Sequence, residues 1–175
     1  MKAPESVDAG LAGKALTIAA MNGDAALYDK YVARMVATKN PEEHDFYLQA
    51  LGAFPQAALA KRTFDLVLGP DVKSQDMFAL VSPLTNYEIQ PVAWELFKSN
   101  FASIMKKIDA SDAVGLAQVA QVFCDTKLRD DSQKFFAEQN LPGTQRILEN
   151  GKDSVNACIQ VRDLQQKNLT AYLAK

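Results

Sequence analysis

The chain has 175 residues, which is enough for one domain with a sizeable hydrophobic core. Its formal net charge is −2 and its positive charges occur only in small groups, which excludes the basic surface that nucleic-acid binding needs. No apolar run reaches the roughly 18 residues of a membrane-spanning helix, and the first residues lack the apolar region of a signal peptide. We expect a single domain over residues 1–175, with no nucleic-acid partner and no membrane segment.

Helical periodicity dominates the first third of the chain. Apolar side chains recur at steps of three and four residues, which predicts two amphipathic helices. The two sets are Leu27, Tyr28, Tyr31, Val32 and Met35, and then Phe46, Tyr47, Ala50, Leu51 and Phe54. Gly23 is predicted to close the preceding helix in the left-handed conformation, and Asp24 to cap the next one. Asn40 before Pro41 predicts a helix start, and Gly69-Pro70 predicts a helix end.

The only tryptophan, Trp94, belongs to a third apolar stripe. The stripe lies on a helix predicted to start near Pro91, and its further members are Phe97, Phe101, Ile104, Met105 and Ile108. An aromatic stripe at helical spacing can serve as a ligand platform, but it is more often part of the core. We therefore assign Trp94, Phe97 and Phe101 to the structural core.

The apolar stripes and the helix start and end signals together indicate an all-α protein of about ten helices without a sheet. Predicted turns fall at Gly23, at Phe54-Pro55, near Pro83 and at Cys124-Asp125, a spacing loosely typical of stacked two-helix repeats. The residue match between these units is poor, so the repeat prediction depends on spacing alone. The stretch from Thr144 to Ala174 is predicted to be one long helix that covers the last pair.

The sequence offers little catalytic chemistry. His44 is the only histidine, which excludes a zinc site of the H-E-x-x-H kind. Cys124 and Cys158 are interpreted as two separate buried thiols, which fit a reducing compartment without excluding an exported protein. A Cys–His nucleophilic pair stays open only if His44 meets one of them in space. The acidic pairs Glu42-Glu43 and Asp130-Asp131 are interpreted as solvated carboxylates of first helical turns, not as a general acid and base.

Residues 72–105 read VKSQDMFALVSPLTNYEIQPVAWELFKSNFASIM and carry a resemblance to a known domain. The stretch contains Gln75-Asp76, Asn86, Ala93-Trp94 and Asn100-Phe101, in the order found in the C-terminal helical domain of zinc-dependent aminopeptidases. The chain resembles the aminopeptidase N family, especially the endoplasmic-reticulum and insulin-regulated aminopeptidases, over most of residues 15–160. It departs from that family at Ile89-Gln90, where Gly-Arg is frequent, and at Phe101, where tryptophan is frequent.

The resemblance implies an α-α superhelix of paired antiparallel helices, similar to armadillo or HEAT arrays. In the family this domain closes over a catalytic domain, and its concave face meets the distal part of a peptide substrate. The chain would then be the non-catalytic C-terminal portion of a larger metallopeptidase, with no cofactor of its own. Zinc and its ligands would lie in the catalytic domain of the same polypeptide.

Three residues are candidate substrate contacts on this interpretation. Arg62 would contact a peptide carboxylate, and Asp76 and Asn86 are the other candidates. A helix cap at Asp76 and satisfied loop backbone groups at Asn86 and Asn100 are the structural alternatives. A free-standing helical-repeat scaffold that binds a protein partner is the other function that the residues leave open. An upstream reading frame with H-E-x-x-H would favour the peptidase, and a stop codon there would favour the scaffold.

Overall fold

A computed structural model describes residues 9–70 and 72–174, without the side chains of residues 9, 10, 110 and 111. Its α-helices are α1 Ala9–Met21, α2 Ala25–Ala37, α3 Pro41–Leu51, α4 Ala57–Leu68, α5 Gln90–Met105, α6 Ala110–Leu116, α7 Thr126–Glu138 and α8 Gln145–Leu173. Two 3₁₀ segments, Ser74–Thr85 and Ala117–Gln121, follow α4 and α6. These residues contain no strand, which confirms the predicted all-α class with about ten helices.

Residue contacts divide the chain into two compact units, one up to Ile108 and one from Asp109 onward. The first unit contains α1 to α5 and the first 3₁₀ segment, and the second contains α6 to α8 and the second 3₁₀ segment. That one domain spans residues 1–175 therefore stays a prediction.

The first unit is a stack of three helix pairs. The pairs are α1 with α2, α3 with α4, and the first 3₁₀ segment with α5, each joined by a short turn. In one layer α1 packs against α3, and α3 packs against the first 3₁₀ segment. In the other layer α4 packs against α5, while α2 also contacts α3. Each pair thus buries its apolar face against the next, as in a helical-repeat protein.

Side-chain amides connect the turns of successive pairs. Gln56 Nε2 donates to the carbonyl of Gly23 at 2.9 Å, and Asn86 Nδ2 donates to the carbonyl of Ala53 at 3.2 Å. The two partners are 33 residues apart in both hydrogen bonds. We call this series of bonds, formed by Gly23, Ala53, Gln56 and Asn86, the turn ladder. It gives the first unit a repeat of 33 residues that residue identities do not show.

Gly23 is required for a different reason from the predicted one. Gly143 is the only described glycine with a positive φ, so the predicted left-handed conformation of Gly23 is wrong. A Cβ atom on Gly23 would instead lie 2.6 Å from Phe54 Cε1 and 2.9 Å from Leu27 Cδ2. The glycine lets the ring of Phe54 from the next pair approach the first turn closely.

The aromatic stripe of α5 lies in the core of the first unit. Trp94 and Phe97 are 0% exposed and Phe101 is 7% exposed. The rings of Trp94 and Phe97 are nearly parallel, with their centroids 5.6 Å apart. Lys98 Nζ lies 5.6 Å from the centroid of the Trp94 ring, and the lysine side chain is 22% exposed, so its ammonium lies over a largely covered ring.

A lysine just after α5, Lys107, fixes the loop that follows α4. Lys107 Nζ lies 3.3 Å from the carbonyl oxygens of Val67 and Val72, and it also donates to the carbonyl of Gly69. An ammonium group has three protons, so these three carbonyls use its whole capacity. Two of the carbonyls belong to the C-terminal end of α4, where the helix dipole favours a positive charge.

The second unit is built around the second 3₁₀ segment, which packs against α6, α7 and α8. The predicted long final helix is present as α8, but it covers α7 with its first half only. Its buried residues are Leu148, Gly151 and Val155, whereas every described residue after Gln160 is exposed. No helix in the described ranges is both long and apolar enough to cross a membrane.

The start of α7 differs from the sequence prediction. Asp125 is its N-cap, because the carboxylate accepts hydrogen bonds from the backbone N–H groups of Lys127 and Leu128 at 2.9 Å and 3.1 Å. The helix therefore begins earlier than expected, and Asp130-Asp131 lie beyond its first turn. The prediction that this pair occupies a first turn is wrong.

Candidate functional site

Arg62 is an exposed residue of α4 and contacts two residues of α2, Asp29 and Tyr28. Its Nη2 atom lies 2.6 Å from Asp29 Oδ1, and its guanidinium carbon lies 4.5 Å from the centroid of the Tyr28 ring. The side chains of Arg62 and Asp29 are 47% and 61% exposed. The guanidinium thus lies over the Tyr28 ring while part of the arginine side chain remains open to solvent.

The side chain of Tyr28 lies beneath this arginine and is buried. The residue is 1% exposed, and its ring meets the edge of Phe54 with centroids 5.3 Å apart. Burial raises the pKa of the Tyr28 phenol above its ordinary value, so the ring stays neutral at physiological pH. The hydrogen bond with Asp29 raises the pKa of Arg62 further, so its charge is permanent. Arg62, Asp29 and Tyr28, which we call the α2–α4 cluster, therefore present an oriented cation beside an exposed carboxylate.

Asn86 is positioned by the turn ladder. Its side-chain amide donates to the carbonyls of Ala53 at 3.2 Å and Phe54 at 3.4 Å, and its Oδ1 accepts from the backbone N–H of Glu88. The amide is thus directed at backbone groups of two turns. Its geometry is that of a residue that fixes a turn.

Asp76 lies in the first turn of the first 3₁₀ segment and is half-buried. The position before that segment is occupied by Lys73, and no side-chain hydrogen bond caps it. Within the described residues, no hydrogen bond or ion pair joins Arg62, Asp76 and Asn86 to one another. The three candidate substrate contacts therefore lie in one unit without forming a single cluster.

The two cysteines form a disulfide. The Cα atoms of Cys124 and Cys158 are 5.6 Å apart, a separation typical of disulfides. The prediction of two separate thiols is wrong, and the argument for a reducing compartment is lost with it. Their 34-residue separation in sequence does not reveal that α8 folds back along α7 to the loop that precedes it. The described residues contain no free cysteine, so a Cys–His pair with His44 has no thiol to use.

The described residues do not provide a zinc site. They contain no group of three or more His, Cys, Asp or Glu side chains that could hold a metal ion. The only histidine, His44, lies in the first half of α3 and belongs to no such group. This part of the chain therefore offers no donor set for zinc, which the family resemblance assigns to a different domain.

Comparison of the sequence with models of known protein families identifies the family of this chain. The sequence model of the ERAP1-like C-terminal domain matches residues 1–157. The chain belongs to this family. No curated protein is similar enough to the chain to count as a match.

This assignment confirms the resemblance to the C-terminal domain of aminopeptidase N-like enzymes. The ERAP1-like C-terminal domain matched here spans the first unit, and in the second unit it ends inside α8. Cys158 is the first residue after the match, and the exposed end of α8 also lies beyond it.

Sequence reasoning missed the partners of Arg62. Asp29 lies 33 residues before Arg62, the same separation as in the turn ladder. Residue identities do not show this 33-residue spacing, so the pair left no usable signal in the sequence. Lys107 was missed for another reason: its partners are backbone carbonyls, which are present at every position and leave no signal in the sequence.

Proposed function

We propose that this ERAP1-like C-terminal domain is the non-catalytic part of a zinc aminopeptidase, that it closes the chamber of the catalytic domain, and that it holds the distal part of peptide substrates. The family match over residues 1–157 is the observation that carries the proposal. The zinc, its ligands and the general base would lie in a catalytic domain of the same polypeptide.

The α2–α4 cluster is the surface that we propose for the peptide. Arg62 is charged, partly exposed and held on the Tyr28 ring, so little side-chain entropy would be lost when it binds an anion. Asp29 neutralises it in the free domain. A substrate carboxylate, either at the C-terminus or on an acidic side chain, would compete with Asp29 for the guanidinium.

Asp76 and Asn86 take different roles in this proposal. Asp76 stays a candidate contact for a positively charged or amide group of the peptide, because its half-buried carboxylate lies on the segment that follows α4. Asn86 is proposed to position the turn between the first 3₁₀ segment and α5, because its amide is directed at Ala53 and Phe54.

Contacts far from the scissile bond act on catalysis through orientation. A peptide held at its distal end presents its amino end to the metal with a higher effective molarity. Such contacts act only on substrates that are long enough to reach them. Substrate length therefore separates a distal contact from a contribution to the chemical step.

The test compares two substrates on the longer enzyme that contains this domain. We expect Arg62→Glu to lower kcat/KM for a long acidic peptide by about ten- to a hundredfold, the usual effect of a lost hydrogen bond to a charged group. The same variant should cleave a single-residue anilide at the wild-type rate. Lys61→Glu is the matched control, because Lys61 carries the same charge change on the neighbouring exposed position and pairs within α4, with Asp65.

Two results would contradict the proposal. Equal losses on both substrates would show that Arg62 acts through folding or a domain interface, and no loss on either would remove it from the peptide site. Zinc-dependent cleavage of the anilide by the 175-residue chain alone would contradict the non-catalytic role itself.

A further inference from the structure

The attachment of α8 to the rest of the second unit changes along its length. Leu148, Gly151 and Val155 are its buried residues. Ile159 is half-buried, and no described residue from Gln160 to the end of the helix is buried. We call residues 160–174 the α8 extension. Its exposed side chains include Val161, Leu164 and Leu169, so it gains little from hydrophobic burial within this chain.

The disulfide lies at the boundary between the packed half of α8 and the extension. Cys158 is exposed and follows Val155 by less than one turn, and its partner Cys124 is half-buried in the loop before α7. Arg162 Nη1 donates to the carbonyl of Cys124 at 2.5 Å, which ties the next turn of the helix to the same loop. The Cys124–Cys158 disulfide and the hydrogen bond from Arg162 therefore both attach α8 to Cys124.

The covalent bond is the stronger of these two attachments. The Arg162 side chain is 42% exposed and also pairs with Asp163, and exposed polar contacts of this kind contribute little to stability. Residues 158–173 would form a helix of about four turns, which is marginal in water without tertiary support. The turn at Arg162 thus depends on the bond between Cys124 and Cys158 for its fixed position.

We propose that the Cys124–Cys158 disulfide is a redox-sensitive clamp that holds the base of the α8 extension, and that its reduction releases α8 from Cys158 onward while α7 and the first half of α8 stay folded. This inference is independent of the aminopeptidase proposal. The reductant is a dithiol. One of its thiolates attacks a sulfur of the protein disulfide and forms a mixed disulfide, and its second thiolate displaces that sulfur. The protein gains two thiols, and the dithiol becomes a cyclic disulfide.

The exposure of Cys158 makes this reaction accessible. A thiolate must reach a sulfur along the axis of the disulfide, and a buried bond resists this attack. Here one cysteine is exposed and the other is half-buried. A bond of this kind persists in an oxidising compartment and opens where dithiols are abundant.

Limited trypsin digestion of the 175-residue chain tests the clamp, with dithiothreitol as the dithiol and mass spectrometry of the products. Three cleavage sites report on α8: Lys152 in the packed half, Arg162 at the base of the extension and Lys167 further along the extension. Reduction should accelerate cleavage after Arg162 about tenfold, as expected when a locally opening segment loses a covalent anchor. Cleavage after Lys152 and after Lys167 should change less than about twofold, because the first site stays packed and the second lies beyond the clamp in both forms.

A variant and a thiol count complete the test. Cys158→Ala should show the fast cleavage after Arg162 without dithiothreitol, which separates loss of the bond from other effects of the reductant. Alkylation of the denatured chain should label no cysteine before reduction and both after it. Unchanged cleavage after Arg162 would overturn the clamp. Equal acceleration at Arg162, at Lys152 and at Lys134 of α7 would also overturn it, because the second unit would then open as a whole.

Discussion

The phenol oxygen of Tyr28 on α2 lies 3.1 Å from the hydroxyl oxygen of Thr63 on α4, and both residues are buried. Thr63 Oγ1 also lies 3.2 Å from the carbonyl of Leu51 and 3.1 Å from that of Leu59. The single hydroxyl proton of Thr63 goes to a carbonyl, since carbonyls only accept. Tyr28 therefore donates to Thr63, and one buried hydroxyl connects α2, α3 and α4.

Removal of this hydroxyl should destabilise the first unit. Thr63→Val keeps the shape of the side chain but leaves the buried phenol of Tyr28 without its acceptor. We expect a loss of about 1–3 kcal/mol in the free energy of unfolding, measured by urea denaturation. Tyr28→Phe should cost less, about 0.5–1.5 kcal/mol, since Thr63 keeps a carbonyl as its acceptor. The double variant should lose less than the sum of the two, and strict additivity would contradict the shared bond.

Alkaline pH should unfold the first unit by ionising buried tyrosines. Burial raises the pKa of Tyr28, Tyr31 and Tyr47 above the ordinary value near 10. The unfolded chain thus loses these protons first as the pH rises. The stabilising contribution is fully present below pH 10 and is lost as the pH rises through the folded pKa values. Urea denaturation at pH 9 and pH 11 should show the decline, and Tyr28→Phe should decline less steeply than the wild type. An identical decline would contradict the assignment to Tyr28.

Truncation of the buried tryptophan should be among the most costly single changes. Trp94→Ala empties a fully buried site next to Phe97 and should cost about 3–5 kcal/mol. Tyr87→Ala is a suitable control, because Tyr87 is 72% exposed and should change stability by less than about 0.5 kcal/mol. A cost below about 1 kcal/mol for Trp94→Ala would be incompatible with a core role.

Loss of the ammonium of Lys107 should loosen the loop after α4. Lys107→Met keeps the aliphatic stem but leaves the carbonyls of Val67, Gly69 and Val72 without this donor. We expect a loss of about 1–3 kcal/mol and faster amide hydrogen exchange at the end of α4. Lys106→Met should have almost no effect, because Lys106 is exposed. Equal effects of the two substitutions would mean that charge alone, not the carbonyl contacts, stabilises the loop.

Features that depend only on neighbouring residues, such as helix caps and helical spacing, made much of the fold predictable from sequence. The caps at Asp24 and Asn40 were predicted and are confirmed, because a cap needs only neighbouring residues in the right order. The stripe of Trp94 on α5 was visible for the same reason, since helical spacing is local. The long helix after Thr144 also follows from a pattern within one segment.

Long-range contacts were not predictable in the same way. The bond between Cys124 and Cys158 and the pair of Arg62 with Asp29 depend on how helices fold back on each other. One sequence gives no register between distant segments when the repeats share few residues. Of the α2–α4 cluster, only Arg62 was therefore predicted, without the carboxylate of Asp29 and the ring of Tyr28 that orient it.

Contacts at a fixed spacing of 33 residues make chain length a constraint in its own right. Gly23 with Gln56, Asp29 with Arg62 and Gln49 with Ser82 are each separated by 33 residues. A deletion of one residue inside α3 would rotate everything after it by about 100° around that helix and break several of these pairs together. A substitution in any one of these pairs would remove only that contact. During evolution the first unit should therefore tolerate exchanges of residues far better than small insertions or deletions within its helices.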